Sequence, residues 1–156
     1  METTVSRVYA AGDVCSPSWE LAEHWFPMRL WTQARQMGMY AAYCVAANFI
    51  DDLDPLFHFQ FEVFAHVTKF FGYKVILLGL FNGQKFNNKY EALYRISDEE
   101  EYVKVLLKDG KMKGAVLIGE TDLEETFENL IHDQIDLSRY GEDLLNPSVD
   151  IEDFFD

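Results

Sequence analysis

The chain has 156 residues, 49% of them hydrophobic and 15% aromatic, so it can build a packed core and is not a mainly disordered polypeptide. Thirteen basic against 27 acidic side chains give a net charge of −14, which repels phosphate backbones and anionic membrane surfaces. Two cysteines make no disulfide framework, and composition points to a soluble, acidic, intracellular globular protein without naming an activity.

Met1-Glu2-Thr3-Thr4 lacks the basic and apolar regions of a secretory signal. The longest apolar runs, Met39–Ala47 and Val75–Phe81, fall short of the roughly 20 residues that span a bilayer. No direct nucleic-acid or membrane partner is expected. The charge is uneven: residues 1–96 carry net −1 and residues 97–156 net −13. Such an acidic half reads as a solvated face, with a tail that meets a basic partner as the alternative.

Residues 5–13 read as a short strand ending at Gly12, where the chain can turn sharply. Residues 14–28, with Pro17 and Pro27, read as a loop. From Arg29 to about Asn48 the spacing of Leu30, Ala34, Met37, Ala41, Cys44 and Val45 is helical. Gly38 inside that helix suggests close packing against a neighbour or ligand. Asp51-Asp52-Leu53-Asp54-Pro55 reads as a linker between domains.

Beyond it the pattern changes to strands. Phe57, Phe59, Phe61 and Val63 alternate with His58, Gln60, Glu62 and Phe64, the period of a half-buried strand. Tyr73–Leu80 is a second strand, apolar enough to lie centrally, and Tyr90–Ile96 a third. Tyr102–Lys108 and Lys111–Ile118 flank Asp109-Gly110, which suits a type I′ hairpin turn. Thr121-Asp122-Leu123-Glu124 has capping-box spacing and opens a helix carrying Leu123, Phe127, Leu130, Ile131 and Gln134. The segment after Ser138 is acidic yet holds Tyr140, Leu144, Leu145, Ile151, Phe154 and Phe155, which suggests that it docks. The fold class expected is α+β, an antiparallel sheet packed on a helix. The divisions are residues 1–50, a linker 51–56, a domain 57–137 and an acidic tail 138–156.

The chain holds no Gly-x-Gly-x-x-Gly and no phosphate-cradling Gly-x-x-x-x-Gly-Lys. Cys15 and Cys44 lie 29 residues apart, outside redox-motif spacing. Cys44 reads as a small buried hydrophobe, and nothing near Cys15 lowers its pKa. His24, His58, His66 and His132 lack metal-ligand spacing, so no metal site is expected. His66, beside Thr68 and Lys69, reads as a packed or hydrogen-bonded histidine, with an acid–base role as the alternative. No catalytic residue is assigned.

One fragment of a site is recognisable. The strand end Val8-Tyr9-Ala10-Ala11-Gly12-Asp13, followed by a helix, resembles the second FAD-binding motif of the pyridine nucleotide-disulfide oxidoreductases. The blocks Arg29–Gly38, Phe64–Phe71, Gly114–Ile131 and Tyr140–Asp156 extend this resemblance over essentially the whole chain. It is weakest at Asn48–Leu56 and Asn82–Glu100.

The resemblance implies that residues 1–50 are the last strand and helix of an FAD-binding α/β domain, followed by the small α+β domain. Gly12 would let backbone approach the cofactor, and Asp13 would hold the ribityl chain. The amides of Leu30 and Trp31 would meet the flavin's pyrimidine edge. The parent would be an FAD-dependent, NAD(P)H-linked oxidoreductase roughly three times this length, with its nicotinamide site outside this chain. His66-Val67-Thr68 departs from the reductases' His-Pro-Thr pattern, which argues against thiol–disulfide chemistry.

Also implied are oxidative-stress defence, a cytoplasmic and nuclear address, the muscle sarcomere and association with the tRNA ligase complex. The partner would be the remainder of the flavoprotein, or another protein met through the C-terminal domain and tail. The chain alone is expected to be inactive. An alternative without the resemblance is a standalone, non-enzymatic interaction module, favoured if Met1 is an authentic start.

Overall fold

The computed structural model describes residues 1–50, 61–97 and 100–149. They fall into two compact units, Met1–Ala22 with Phe26–Glu62, and Glu23–Trp25 with Val63–Asp156.

In the first unit the expected single strand over residues 5–13 is replaced by a short ladder and a turn. Glu2 bridges Tyr9 antiparallel, and the Thr3 amide donates to Val8 O at 2.7 Å and the Ala10 amide to Met1 O at 3.1 Å. A lone strand would leave its backbone groups unpaired, and Met1–Thr3 supplies the partners instead. The chain reverses at Arg7, whose φ is 64°. A 3₁₀ turn, Gly12–Val14, follows.

The helix α1 spans Trp31–Ala46, inside the expected limits. It buries Gln33, Met37 and Tyr40, and Tyr40 meets the buried Phe61 edge-on at 5.4 Å. At its end Asn48 Nδ2 donates to Cys44 O at 2.8 Å and to Tyr9 Oη at 2.6 Å. The close packing expected at Gly38 is absent: a Cβ there meets nothing within 4 Å among the described residues.

The second unit is a five-stranded antiparallel sheet of order β1-β2-β5-β4-β3. Its strands are β1 Ala65–Phe70, β2 Tyr73–Gly79, β3 Glu91–Ser97, β4 Glu101–Lys108 and β5 Lys111–Ile118. The strand expected over residues 57–64 falls partly outside the described residues. Its described end is a turn at Phe61, with Val63 bridged in parallel to His24, and β1 begins only at Ala65. Asp109 and Gly110 take the positive φ angles of 54° and 72° expected of the hairpin turn.

The helix α2, Glu124–Asp133, buries Phe127, Leu130 and Ile131 against Ile76, Leu78, Val105, Ala115 and Leu117 of the sheet's inner face. The capping box does not form. Leu123 is the N-cap, Asp122 has a φ of 51°, and the Glu124 carboxylate turns to Lys74 Nζ at 2.5 Å instead of back to Thr121. Gln134, expected within the helix, is its left-handed C-cap. The acidic segment does dock: in the 3₁₀ turn Gly141–Leu145 the side chains of Leu144 and Leu145 join the core. Among the described residues no helix is long and apolar enough to cross a membrane.

A register shift in β5 places Lys113 opposite no residue of β4 and aims it into a polar knot. Lys113 Nζ donates to Glu23 Oε1 at 2.8 Å and to Gln134 Oε1 at 2.5 Å, while Gln134 Nε2 donates to Met112 O at 2.7 Å. The hydrogen bond from Lys113 holds the Glu23 carboxyl below its ordinary range, and that from Lys74 does the same for Glu124. Burial lowers the pKa of His24 from its ordinary value, against the pull of the neighbouring Glu23 carboxylate.

All three groups bind protons less readily folded than unfolded, so each destabilises the fold as pH falls. The loss attributable to His24 begins below about pH 6.5, and that of the two carboxylates below about pH 4.3. The urea midpoint is therefore expected to decline in two stages between pH 7 and 3. His24→Phe is expected to remove the upper stage, and a wild-type midpoint flat from pH 7 to 5.5 would contradict the lowering of His24 by burial.

Candidate functional site

The first unit contains a cleft of about 290 Å³ between the Gly12–Val14 turn and the start of α1. Its floor depends on Gly12. That residue has a φ of 78°, and a Cβ there would lie 3.2 Å from Ala34 Cβ. An L side chain would be strained by the backbone and would press on the helix. The turn leaves Asp13 exposed at the rim, with Cys15 beside it, its Sγ 3.4 Å from Gly12 O.

The opposite wall is built by Pro27, Met28, Arg29, Gln33, Ala34 and Met37. Gln33, only 3% exposed, fastens it. Its Oε1 accepts the Met28 amide at 2.7 Å and its Nε2 donates to Phe26 O at 3.0 Å. Leu30 is the helix N-cap; its amide donates to Met28 O at 2.8 Å, and its carbonyl accepts the Ala34 amide at 2.9 Å. The amides of Trp31, Thr32 and Gln33 are those of the first helical turn, which has no intrahelical acceptors for them. Thr32 Oγ1 is buried without a hydrogen-bond partner among the described residues. The helix end is thus a positive pole, with Arg29 adding a full charge next to it.

Of the four residues singled out from the sequence, Gly12 and Asp13 line this cleft, and Leu30 and Trp31 flank it without lining it. Leu30 has already spent its amide on Met28, and the Trp31 indole is 88% exposed. Arg29 and Gln33 also line the cleft and were not singled out from the sequence. A signal existed for Gln33 alone, a polar residue one helical turn before the buried Met37.

The remaining titratable groups do not converge. Among the described residues no three of His, Cys, Asp or Glu gather as a metal site would require, and both cysteines are free. His66 lies on the edge strand β1 with Nδ1 buried and without a partner among the described residues, while His132 Nδ1 meets Asp133 at 2.9 Å. His58 lies outside the described residues.

Residues 65–135 match the model of the rubredoxin NAD+ reductase C-terminal domain. Over its whole length the chain is similar to proteins named pyridine nucleotide-disulfide oxidoreductase domain-containing protein 1. It is 59% identical to that of Homo sapiens, covering 31% of it. To that of Danio rerio it is 62% identical, covering 32%, and to that of Drosophila melanogaster 54% identical, covering 33%. The chain therefore spans about a third of the length of the curated relatives it matches. Among solved structures, NADH:rubredoxin oxidoreductase from Clostridium acetobutylicum aligns with a TM-score of 0.58 over 87% of this chain and 32% of that one. Identity there is 19%, a likeness of fold.

Proposed function

From a chain homologous over its whole length to the proteins named pyridine nucleotide-disulfide oxidoreductase domain-containing protein 1, with a C-terminal domain of the oxidoreductase kind, we infer that it works as part of an FAD-dependent, NAD(P)H-linked oxidoreductase. The observation that carries this reading is the Gly12–Asp13 turn set against the start of α1. The residues fit one portion of FAD. Gly12 removes the side chain that would fill the approach, and the exposed Asp13 carboxylate can accept hydrogen bonds from vicinal hydroxyls. The first-turn amides and Arg29 favour an electron-rich edge. Because the Leu30 amide is engaged, the amide of Trp31 takes the role expected of both. A cleft of about 290 Å³ holds a ribityl-sized piece, so the rest of the cofactor needs walls from the longer polypeptide.

When bound, the flavin supplies the hydride chemistry, and this chain's residues position it without acting as chemical acid or base. The nicotinamide is held elsewhere in the longer protein. Oxidative-stress defence in cytoplasm and nucleus belongs to the same reading, as do the sarcomere and tRNA ligase settings.

A hydrogen bond to a charged acceptor contributes about 1.5–3 kcal/mol. Asp13→Ala in the longer polypeptide is therefore expected to weaken FAD binding about tenfold or more, read by flavin fluorescence during titration. The 156-residue chain alone is expected to retain no FAD and to oxidise no NAD(P)H. Unchanged affinity in the variant would overturn the assignment of Asp13, and tight retention with turnover by the chain alone would overturn the expectation that it is inactive.

A further inference from the structure

The two faces of the sheet are not alike. On the inner face the cross-strand row Ile76, Leu117 and Val103 is at most 2% exposed. On the outer face the register sets out two rows across all five strands. One runs Thr68, Val75, Ile118, Tyr102 and Ile96; the other His66, Leu77, Val116, Lys104 and Tyr94. None of these ten residues is buried, although six of them sit on the interior strands β2, β5 and β4. Ile96 is 76% exposed and Tyr94 59%. Among the described residues, the backbone of Leu80 and Phe81 roofs the Gly114 end of this face.

Lys104 is the single full charge in the two rows. It makes no hydrogen bond or ion pair among the described residues, and burial already holds its ammonium below the ordinary value. His66 contributes a buried Nδ1 that likewise has no partner among the described residues. A half-open apolar face with one unpaired cation fits an apolar surface that presents a carboxylate.

The relatives matched over the whole length of this chain are about three times as long, so they carry further polypeptide that this structure does not contain. Five strands span roughly 20 Å across the sheet, wide enough for an interface between domains of one chain. We propose that the outer face of the sheet is the surface on which the remaining two thirds of the longer polypeptide dock, with Lys104 meeting a carboxylate of that part. The proposal rests on the reading of this chain as part of a longer oxidoreductase.

The test places a cysteine at Ile96 (I96C) or at Val116 (V116C) in the longer polypeptide and in the 156-residue chain. Alkylation is followed site by site by mass spectrometry, with E128C on the exposed side of α2 as control. Both outer-face positions are expected to react about tenfold or more slowly in the longer polypeptide, and the control equally in both. Adding Lys104→Glu to I96C is expected to restore fast alkylation, and adding Lys104→Met to restore it less.

Equal rates at all three positions in a longer polypeptide that binds FAD would overturn the docking surface and leave the oxidoreductase reading standing. Failure of the longer polypeptide to bind FAD strikes that reading alone, because alkylation is scored independently. Protection that appears in the 156-residue chain and grows with its concentration would assign the face to a second copy and overturn the proposal.

Discussion

Gly114→Ala is expected to cost the sheet unit about 3 kcal/mol or more, enough to leave it largely unfolded in mild urea. An alanine Cβ at this position would lie 2.5 Å from the amide nitrogen of Phe81 and 2.7 Å from the carbonyl oxygen of Leu80. Both are backbone atoms, which cannot swing aside as a side chain would. Nor can the crossing segment retreat, because the Leu80 amide donates to Lys113 O at 2.8 Å. The φ of Gly114 is not positive, so the cost is steric and owes nothing to the left-handed region. Gly38→Ala is the contrasting change. It adds a methyl group to open space within α1 and is expected to stabilise that helix by up to about 1 kcal/mol. A urea midpoint for Gly114→Ala that matches the wild type would mean that Leu80 and Phe81 do not cross over β5.

The elements legible in the sequence were those whose cause is local. Asp109-Gly110 announces its turn because two successive positive φ angles are needed and few residue pairs adopt them. The helix through Phe127, Leu130 and Ile131 shows its apolar stripe for the same kind of reason. The strand β1 gave no such signal. It is an edge strand whose Val67 and Phe70 are 56% and 66% exposed, so burial does not impose alternation on it. The aromatic alternation before it suggested a strand, yet Phe61 spends its ring on Trp19 and Tyr40, at 5.5 and 5.4 Å. Thr121 failed as a cap because the helix begins after Leu123, a matter of how residues 119–123 leave β5 rather than of spacing.

At the candidate site, Gly12 was readable as a residue that only a special backbone requires. Arg29 was not, and Gln33 only as a polar residue one helical turn before Met37. Their roles depend on segment 26–30 folding back over the helix start, a contact that no periodicity encodes. The Leu30 amide shows the converse: it stands at the helix start, where the resemblance implied a donor, but that donor is consumed by Met28 two residues earlier.

The acidic end of the chain carries the second large effect. Its charge invites a reading as a solvated tail, yet Leu144 is fully buried and Leu145 is 6% exposed, while Glu142 and Asp143 between them and Gly141 face solvent. Arg95 Nη1 donates to Leu145 O at 3.3 Å and ties this turn to the edge strand β3. Leu144→Ala is expected to destabilise the unit by about 3 kcal/mol, the cost of an emptied leucine site in a core that only partly relaxes. Glu142→Gln and Asp143→Asn, which remove charge without touching that core, are expected to stay within about 0.5 kcal/mol. The three variants separate packing from electrostatics in a segment where composition points to the second. If Leu144→Ala leaves the denaturation midpoint in place while the two charge variants move it, the turn does not close the core, and the acidic side chains are the ones that decide its stability.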